Sequence, residues 1–425
     1  MSGFFVVGEK KERPGVYKRY ENAGGVEAAG ARSGVGCALV TGNWGALNTP
    51  VTIDQSTDVS NVIGAGSGYD AITAFMAGGM EECVVVRVGT GGTPATITLK
   101  DTTASAAVDA VVLTALYPGN RAFTITVKAS LDDETAKEAT IYEGTKALEK
   151  VTFAAGKTEV DGIVTAFANS KYVKATKKAP GNGTLADVTQ KAFTAGTNPT
   201  VNTAAYGEAA NASEAEVRDM IIVDTNDAAV HTLIATHVAR VFQEGAYTMA
   251  TVAEPSSVEI ETRMQHAAAF NDEKIHYVLN PYIGTDGVEY EGYMLAARIG
   301  GLICAGASNA SLTHTVISGA AKLKETLNSG TIKKALKSGC IVLSTSKSKQ
   351  VWIEKAINTL VTLSKDQDAG WKKIRRVKER FELMDRVEQT TEVLIGQVDN
   401  DPDGRAAVIA AAQRVVDAMV GEKKL

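Results

Sequence analysis

Three apolar runs in the sequence each lead into a residue able to do chemistry: Asp224 after Met220–Val223, Glu254 after 247–252, and Asn280 after 275–279. If the runs are parallel strands, these side chains gather at the carboxyl edge of a sheet, where open α/β sheets place their active sites. Two carboxylates there, Asp224 and Glu254, could serve as a general acid and base. The competing reading is structural: the polar residues begin turns, and Asn226 or Asp227, and Ser256 or Ser257, cap the helices that follow. No His or Lys partner stands at motif spacing, which favours the structural reading. An α/β enzyme using Asp224 and Glu254 is the alternative it competes with.

The remaining motifs carry less. Gly89, Gly91 and Gly92 follow an apolar run and look like a loop for cradling phosphate. Such a loop must open a helix whose N-terminus holds the phosphate, and here a strand-like run, 94–100, comes next. A turn fits better. Gly64, Gly66 and Gly68 do precede a helical pattern, but without a clear strand before them or a Lys-Ser/Thr pair after. Asp399, Asp401, Asp403 and Gly404 resemble the start of a calcium loop, yet its twelfth position, which needs a bidentate acid, is Ala410, and Pro402 interrupts it. The histidines His231, His237, His266, His276 and His314 form no metal-ligand pattern, and no serine sits in a nucleophile elbow. Cys37, Cys83, Cys304 and Cys340 lie in apolar runs at spacings that fit neither a disulfide framework nor a zinc site. They read as small buried hydrophobes in a reducing compartment. The expectation is a chain with no catalytic set, no metal and no cofactor.

The elements that would position these residues follow from patterning. At 425 residues the chain exceeds one ordinary core, and with 44% hydrophobic residues it can fill two or three packed units. A net charge of −5 points to neither nucleic acid nor an acidic membrane as partner. No segment reaches the roughly 18 apolar residues of a membrane span, and residues 1–11 lack the order of a secretory signal, so a cytosolic protein is expected. Residues 1–22 read as an extended N-terminal arm, strand-prone over 4–7, broken at Pro14-Gly15 and resumed at Val16-Tyr17. Such an arm needs a partner surface, and Phe4, Val6, Val16 and Tyr17 are the residues expected to dock it.

Residues 23–93 and 200–345 read as an α/β core domain. Strands over 35–41 and 84–88 flank a helix over 69–80 with Ile72, Phe75 and Met76 on one face. Strands over 220–223, 247–252 and 275–279 alternate with two helices. One carries Val230, Leu233, Ile234, Val238, Val241 and Phe242, and the other spans 256–270. That alternation means parallel strands with helices on the faces. The run 293–307, apolar nearly all round, is a buried helix. Residues 94–199 read as an inserted β-rich outer domain, with strands over 95–100, 122–128 and 138–142, a helix bearing Val160, Ile163, Val164 and Phe167, and a loop over 179–184. Residues 346–425 read as a C-terminal strand-and-helix domain. Strands over 340–345 and 349–353 lead into helices over 371–394 and 402–420. The last is capped by Asp401, stopped at Gly421, and striped by Val408, Ile409, Ala412, Val415, Val416 and Met419. The fold class is thus α/β within a multi-domain α+β chain: a mixed-sheet core of β-α-β units flanked by helices, an inserted β-rich domain, and an extended arm.

The densest charge cluster is Lys372, Lys373, Arg375, Arg376, Lys378 and Arg380, on a helix whose other face carries Trp371, Ile374, Val377, Phe381 and Met384. It reads as a solvated face or as a docking face for an acidic protein surface, with Lys372, Arg375, Arg376 and Arg380 as candidate contacts.

Several segments resemble contractile tail sheath proteins of phages, prophages and phage-tail-like bacteriocins. Arg13-Pro14-Gly15-Val16-Tyr17 followed by Glu21-Asn22 resembles that family's N-terminal segment, and Tyr117-Pro118-Gly119-Asn120-Arg121 before Ile125 its Gly/Arg-marked strand start in the inserted domain. Ala356-Ile357-Asn358-Thr359-Leu360-Val361 resembles a stretch of its C-terminal domain. Ile395-Gly396-Gln397-Val398 with Asp403-Gly404-Arg405 resembles its turn into the last long helix. These matches spread over most of the chain in the family's order and are most like the Gram-positive prophage type. The resemblance implies a structural subunit and not an enzyme. Such subunits form six-fold rings, stacked helically into a sleeve around a tail tube. The sleeve is triggered by a baseplate to contract and drive the tube through a cell envelope. It implies as partners further copies of the chain, a tail tube protein, and baseplate and terminator proteins, with no nucleic acid and no direct membrane binding. The place is the bacterial host cytoplasm during assembly, then a virion tail or tail-like particle. Terminal arms of such subunits lend strands to neighbours, so backbone hydrogen bonds supply affinity and alternate side chains register. A head-to-tail contact that does not close gives a helical tube. Lys372, Arg375, Arg376 and Arg380 become the tube-facing set. Family members usually continue beyond the last helix into further strands and a C-terminal arm. This sequence ends at Lys423-Lys424-Leu425, so that arm is expected to be missing.

Overall fold

The computed structural model describes residues 2–4, 16–18, 34–102, 107–178 and 183–425, the first two stretches by backbone alone. Val6 and most of the expected loop over 179–184 lie outside the described residues. The chain divides into two compact units, residues 33–377, and residues 1–32 with 378–425. In the smaller unit β1 (Ser2–Phe4) and β2 (Val16–Lys18) pair in parallel, Ser2 opposite Val16.

The larger unit begins with β3 (Val35–Val40), β4 (Pro50–Asp54), α1 (Val59–Val62), α2 (Ser67–Met76) and β5 (Glu82–Arg87). Then come β6 (Pro94–Asp101), β7 (Val108–Pro118), β8 (Phe123–Ala129), β9 (Ala136–Glu143), β10 (Lys146–Ala154), α3 (Glu159–Ala166), β11 (Val173–Lys177) and β12 (Val188–Ala192). The chain returns through α4 (Thr203–Ala212), β13 (Met220–Val223), α5 (Ala228–Gln243), β14 (Met249–Ala253), α6 (Ile260–Phe270) and β15 (Ile275–Val278). It continues with β16 (Tyr282–Gly284), β17 (Glu289–Tyr290), α7 (Gly292–Ala305), β18 (Ala320–Leu323), α8 (Ser329–Lys337), β19 (Cys340–Ile341), β20 (Leu343–Thr345) and β21 (Val351–Ile353). Two long helices follow, α9 (Ile374–Glu392), whose first turn belongs to the larger unit, and α10 (Pro402–Gly421).

Seven strands form the central sheet in the order β19-β15-β14-β13-β3-β5-β4, parallel except for β4 at one edge. The runs VGCALV, MIIV, MATVA and IHYV are buried at every position, the pattern of strands covered on both faces. Ile221 and Val223 meet one layer, built from α4, α5, α6 and α8 through Tyr206, Ile234, Met264 and Ala335. The opposite face meets α2 and α7. There the helices touch backbone to backbone: a Cβ on Gly301 would come within 2.2 Å of the Phe75 carbonyl oxygen, and one on Gly78 within 2.6 Å of the Gly301 Cα. Any side chain at either position would force α2 and α7 apart.

The excursion between β5 and α4 makes two antiparallel sheets, β10-β9-β8-β12 and β11-β7-β6, around their own core of Leu113, Phe123, Ile125, Phe153 and Val160. Gly89, Gly91 and Gly92, all at positive φ, carry the chain from β5 into β6 as a turn. Thr90 and Thr93 pair with Thr200 and Thr197, so the two connecting stretches close the excursion at its base.

Several boundaries differ from expectation. The run 340–345 is two strands, because Val342 leaves the central sheet and β20 turns away to pair with β21. α6 starts at Ile260 and not at Ser256, since Ser256 gives its backbone N–H and hydroxyl to Glu291 instead of capping a helix. The helix expected over 371–394 opens as a 3₁₀ turn, Ala369–Lys372, before α9. α10 is capped by Asp401 with Pro402 in its first turn, but its buried stripe is Gly404, Ala411, Val415 and Met419, and Ile409 is 68% exposed. No described helix is long and apolar enough to cross a membrane.

Candidate functional site

The carboxyl edge of the central sheet holds the polar residues that the sequence placed there, each engaged in cross-links between elements. Asp224, at the end of β13, is 5% exposed. Its Oδ2 accepts from the Thr41 N–H at 2.9 Å, the Thr41 hydroxyl at 2.5 Å and the Ser67 hydroxyl at 2.6 Å, and its Oδ1 accepts from the Tyr206 hydroxyl at 2.7 Å. One carboxylate thus ties β13 to the end of β3, the start of α2 and the middle of α4. Glu254 Oε2 accepts from the Tyr277 hydroxyl at 2.5 Å and lies 2.8 Å from His266 Nδ1, joining β14 to β15 and α6. Burial, together with the neighbouring carboxylate, pushes the phenols of Tyr206 and Tyr277 far up, so both remain donors. Asn280 is fully buried. It donates to the Leu343 and Glu325 carbonyls and accepts from the Leu343 N–H, fixing the chain where β19 gives way to β20. Asp227 caps α5 at the Ala229 N–H, and Asn226 accepts from the Tyr293 N–H at the start of α7. Among the described residues no group of three His, Cys, Asp or Glu side chains could hold a metal ion.

Three further histidines serve packing. His231 Nε2 donates to the Thr225 carbonyl at 2.9 Å, and His314 stacks on Trp352 with ring centroids 4.3 Å apart. His237 Nε2 accepts from the Arg218 guanidinium at 3.1 Å. Burial, and then the Arg218 cation, pulls His237 down to about 4, and burial lowers His231 as well. Between that value and the ordinary 6.5, the unfolded chain binds a proton at His237 that the folded chain refuses. Stability is therefore expected to fall as pH drops from 6.5 towards 4, by about 3 kcal/mol from this residue. Urea midpoints at neutral pH and near pH 4 check it: the loss should be smaller in His237→Gln, and an equal loss in both would remove His237 as its source. The four cysteines are buried, and burial raises Cys37 to about 11 and Cys340 to about 12.

A joint that the sequence reading missed connects the excursion to the central sheet. Arg87, 2% exposed at the end of β5, donates to the carbonyls of Gly42 at 2.7 Å, Gly45 at 2.7 Å and Pro118 at 2.8 Å. Trp44, in the loop after β3, is buried in the core of the excursion, in edge contact with Tyr117 and Phe123 at 5.0 and 5.2 Å. Arg121 lies 5.2 Å over the Trp44 ring and grips Glu143 through two hydrogen bonds. The available signal was Trp44 itself, between Gly42 and Gly45: a ring that large on a short loop needs a core to enter.

The candidate assembly residues fall on several elements. Phe4, Val16 and Tyr17 lie in β1 and β2. Lys372 ends the 3₁₀ turn and donates to the Val361 carbonyl at 2.6 Å. Arg375 and Arg376 are exposed in the first turn of α9. Arg380 is half-buried, its guanidinium 5.8 Å from the Phe381 ring. Lys372, Arg375 and Arg376 fall in the larger unit and Arg380 in the smaller.

An α/β sheet whose edge carboxylates act as cross-links, joined to a two-sheet excursion, is an architecture with known counterparts. The family model described as the phage tail sheath protein central domain matches residues 199–359, and that of the phage tail sheath protein beta-sandwich domain matches residues 90–198. Together they cover more than half of the chain without a gap. The chain belongs to the phage tail sheath protein family. It is a structural subunit of a contractile tail sheath. Among solved structures, the fold is similar to the sheath tail protein of Desulfitobacterium hafniense, at 18% identity and TM-score 0.75 over 96% of this chain and 89% of that one. It is also similar to the sheath tail protein of Listeria innocua, at 21% identity and TM-score 0.70 over 92% and 85%. The helical sheath of the anti-feeding prophage in its contracted state shares the fold at 8% identity and TM-score 0.52, over 97% of this sheath protein and 85% of that chain. Comparison with curated proteins finds no match.

Proposed function

We propose that this sheath subunit polymerises as six-fold rings stacked helically into a sleeve around a tail tube, and that the sleeve contracts to drive the tube through a cell envelope. The observation that carries this reading is the unbroken match to the two sheath domain models over residues 90–359. The likeness in fold to a helical sheath supports it. Its role is mechanical and not enzymatic. Its partners are further copies, a tube protein, and baseplate and terminator proteins. It assembles in the bacterial host cytoplasm and ends in a virion tail or tail-like particle. Residues 1–22 act as the linking arm through Phe4, Val6, Val16 and Tyr17. Residues 94–199 face outward, and 23–93 with 200–345 and the C-terminal 346–425 build the lattice.

The deciding experiment is negative-stain electron microscopy of the concentrated protein with and without residues 1–22. Hollow tubes that vanish with the arm are expected. A uniform small particle in both samples would sink the reading and return attention to Asp224 and Glu254. Lys372, Arg375, Arg376 and Arg380 face the tube. Reversing these four charges is expected to weaken co-sedimentation with tube protein by about tenfold at low salt, and less at high salt, with the subunit still folded. Binding unchanged at every ionic strength would remove the four from that role.

A further inference from the structure

The elbow between α9 and α10 holds an open pocket of about 490 Å³. Leu394, Ile395, Val398 and Val408 supply its apolar lining. Ile395 is 79% exposed, and the nearby Ile409 68%. Isoleucines left this open beside a concavity mark a surface that something covers. The rim is acidic, carrying Glu388, Glu392 and Asp399, with Arg405 the one cation among the lining residues. Between residues 385 and 403 the chain has six acids and one basic residue, the buried Arg386.

The charge that would complement this pocket is carried by the same sequence. Residues 322–355 hold eight lysines against two acids, in a chain of net charge −5, and all eight lysines are exposed. Two of them, Lys347 and Lys349, stand exposed in the turn over 346–350 that joins β20 to β21. The turn is stiff. Lys349 N–H donates to the Ser346 carbonyl at 2.9 Å, Ser346 N–H to the Gln350 carbonyl at 2.8 Å, and Gln350 N–H to the Ser346 hydroxyl at 3.0 Å. Lys349 sits at φ +64°, a left-handed position that glycine would occupy at less cost.

We propose that the acid-rimmed pocket at the α9–α10 elbow of one copy receives the Lys347–Lys349 turn of a second copy. The aliphatic stems cover Ile395 and Val408, and the two ammonium groups reach Glu388, Glu392 and Asp399. Patch and complement lie at different places on one chain, so the contact is head-to-tail and propagates. The inference rests on the reading that the chain polymerises and assigns one of its contacts.

The test is assembly of the full chain at low salt, followed by sedimentation and electron microscopy. A chain with Lys347→Glu and Lys349→Glu, and one with Glu388→Lys, Glu392→Lys and Asp399→Lys, should each need about tenfold more protein to assemble. A chain carrying all five changes should recover, because the charges are exchanged and not lost. If the parent assembles and neither variant differs from it, the contact is wrong while the polymer stands; if the parent never assembles, both fall. Impairment by the pocket changes alone would point to another occupant, residues 1–22 or a tube protein, and would overturn the assignment. As a check independent of assembly, Lys347→Cys and Ile395→Cys chains are mixed under a mild oxidant, with the native cysteines buried. A disulfide-linked pair is expected, and its absence overturns the proposal.

Discussion

An Asp224→Ala sheath subunit is expected to be about 4 kcal/mol less stable than the parent. The residue accepts four hydrogen bonds from three separate elements at 5% exposure. Truncation leaves the Thr41 N–H, the Thr41 and Ser67 hydroxyls and the Tyr206 phenol facing a hole. A buried donor without an acceptor costs about 1–3 kcal/mol, and the four do not add fully because water enters and side chains turn. Tyr206→Phe removes one donor and leaves the carboxylate three, so its cost should stay near 1 kcal/mol. In the double variant the Tyr206 change should cost almost nothing further, since its partner is gone. Urea unfolding at neutral pH, followed by circular dichroism, reads all three. A loss below about 1 kcal/mol for Asp224→Ala would mean that water replaces the carboxylate, and would reopen a chemical role for it.

Why Asp224 was ambiguous in the sequence is now physical. The donors that settle its role sit 183, 157 and 18 residues away in the chain, so nothing local distinguishes a cross-linking carboxylate from a catalytic one. The parallel core was legible for the opposite reason. Strands buried on both faces read as unbroken apolar runs, and the period of α5 placed Val230, Ile234, Val238 and Val241 on the inner side. The excursion was legible only in part. β10 and β12 are mostly exposed, with Lys and Thr through them, and exist as strands because β9 and β8 present an edge to pair with. In α10 the apolar residues spread over more than one face, so the composition allowed Ile409 inside where the structure buries Ala411 and Val415. Ser256 illustrates the same limit: a serine before a helical pattern reads as a cap, but Glu291, 35 residues on, takes its hydroxyl.

Trp44→Ala should be the second costly change, at about 3–5 kcal/mol for an indole removed from a filled core. Its effect should also be regional, which separates it from Asp224→Ala. Trp44 belongs by sequence to the loop after β3 and by packing to the core of the two-sheet excursion, where it meets Tyr117, Phe123, Tyr172 and the Arg121 guanidinium. Removing it takes away the apolar half of the joint and leaves the polar half, the Arg87 hydrogen bonds to Gly42, Gly45 and Pro118. The parent should therefore unfold its sheet and its excursion together, and the variant should show two calorimetric transitions. Amide exchange should speed up in β6, β7 and β8 while β13 and β14 hold their protection. If the variant loses little stability and still melts in one step, the joint is carried by Arg87 alone. The point reaches function because a part that moves within a contracting lattice must pass force between its layers. An excursion pinned by a buried indole and a buried guanidinium would turn with the sheet, whereas one hung on the Gly89–Gly92 turn alone would lag behind it.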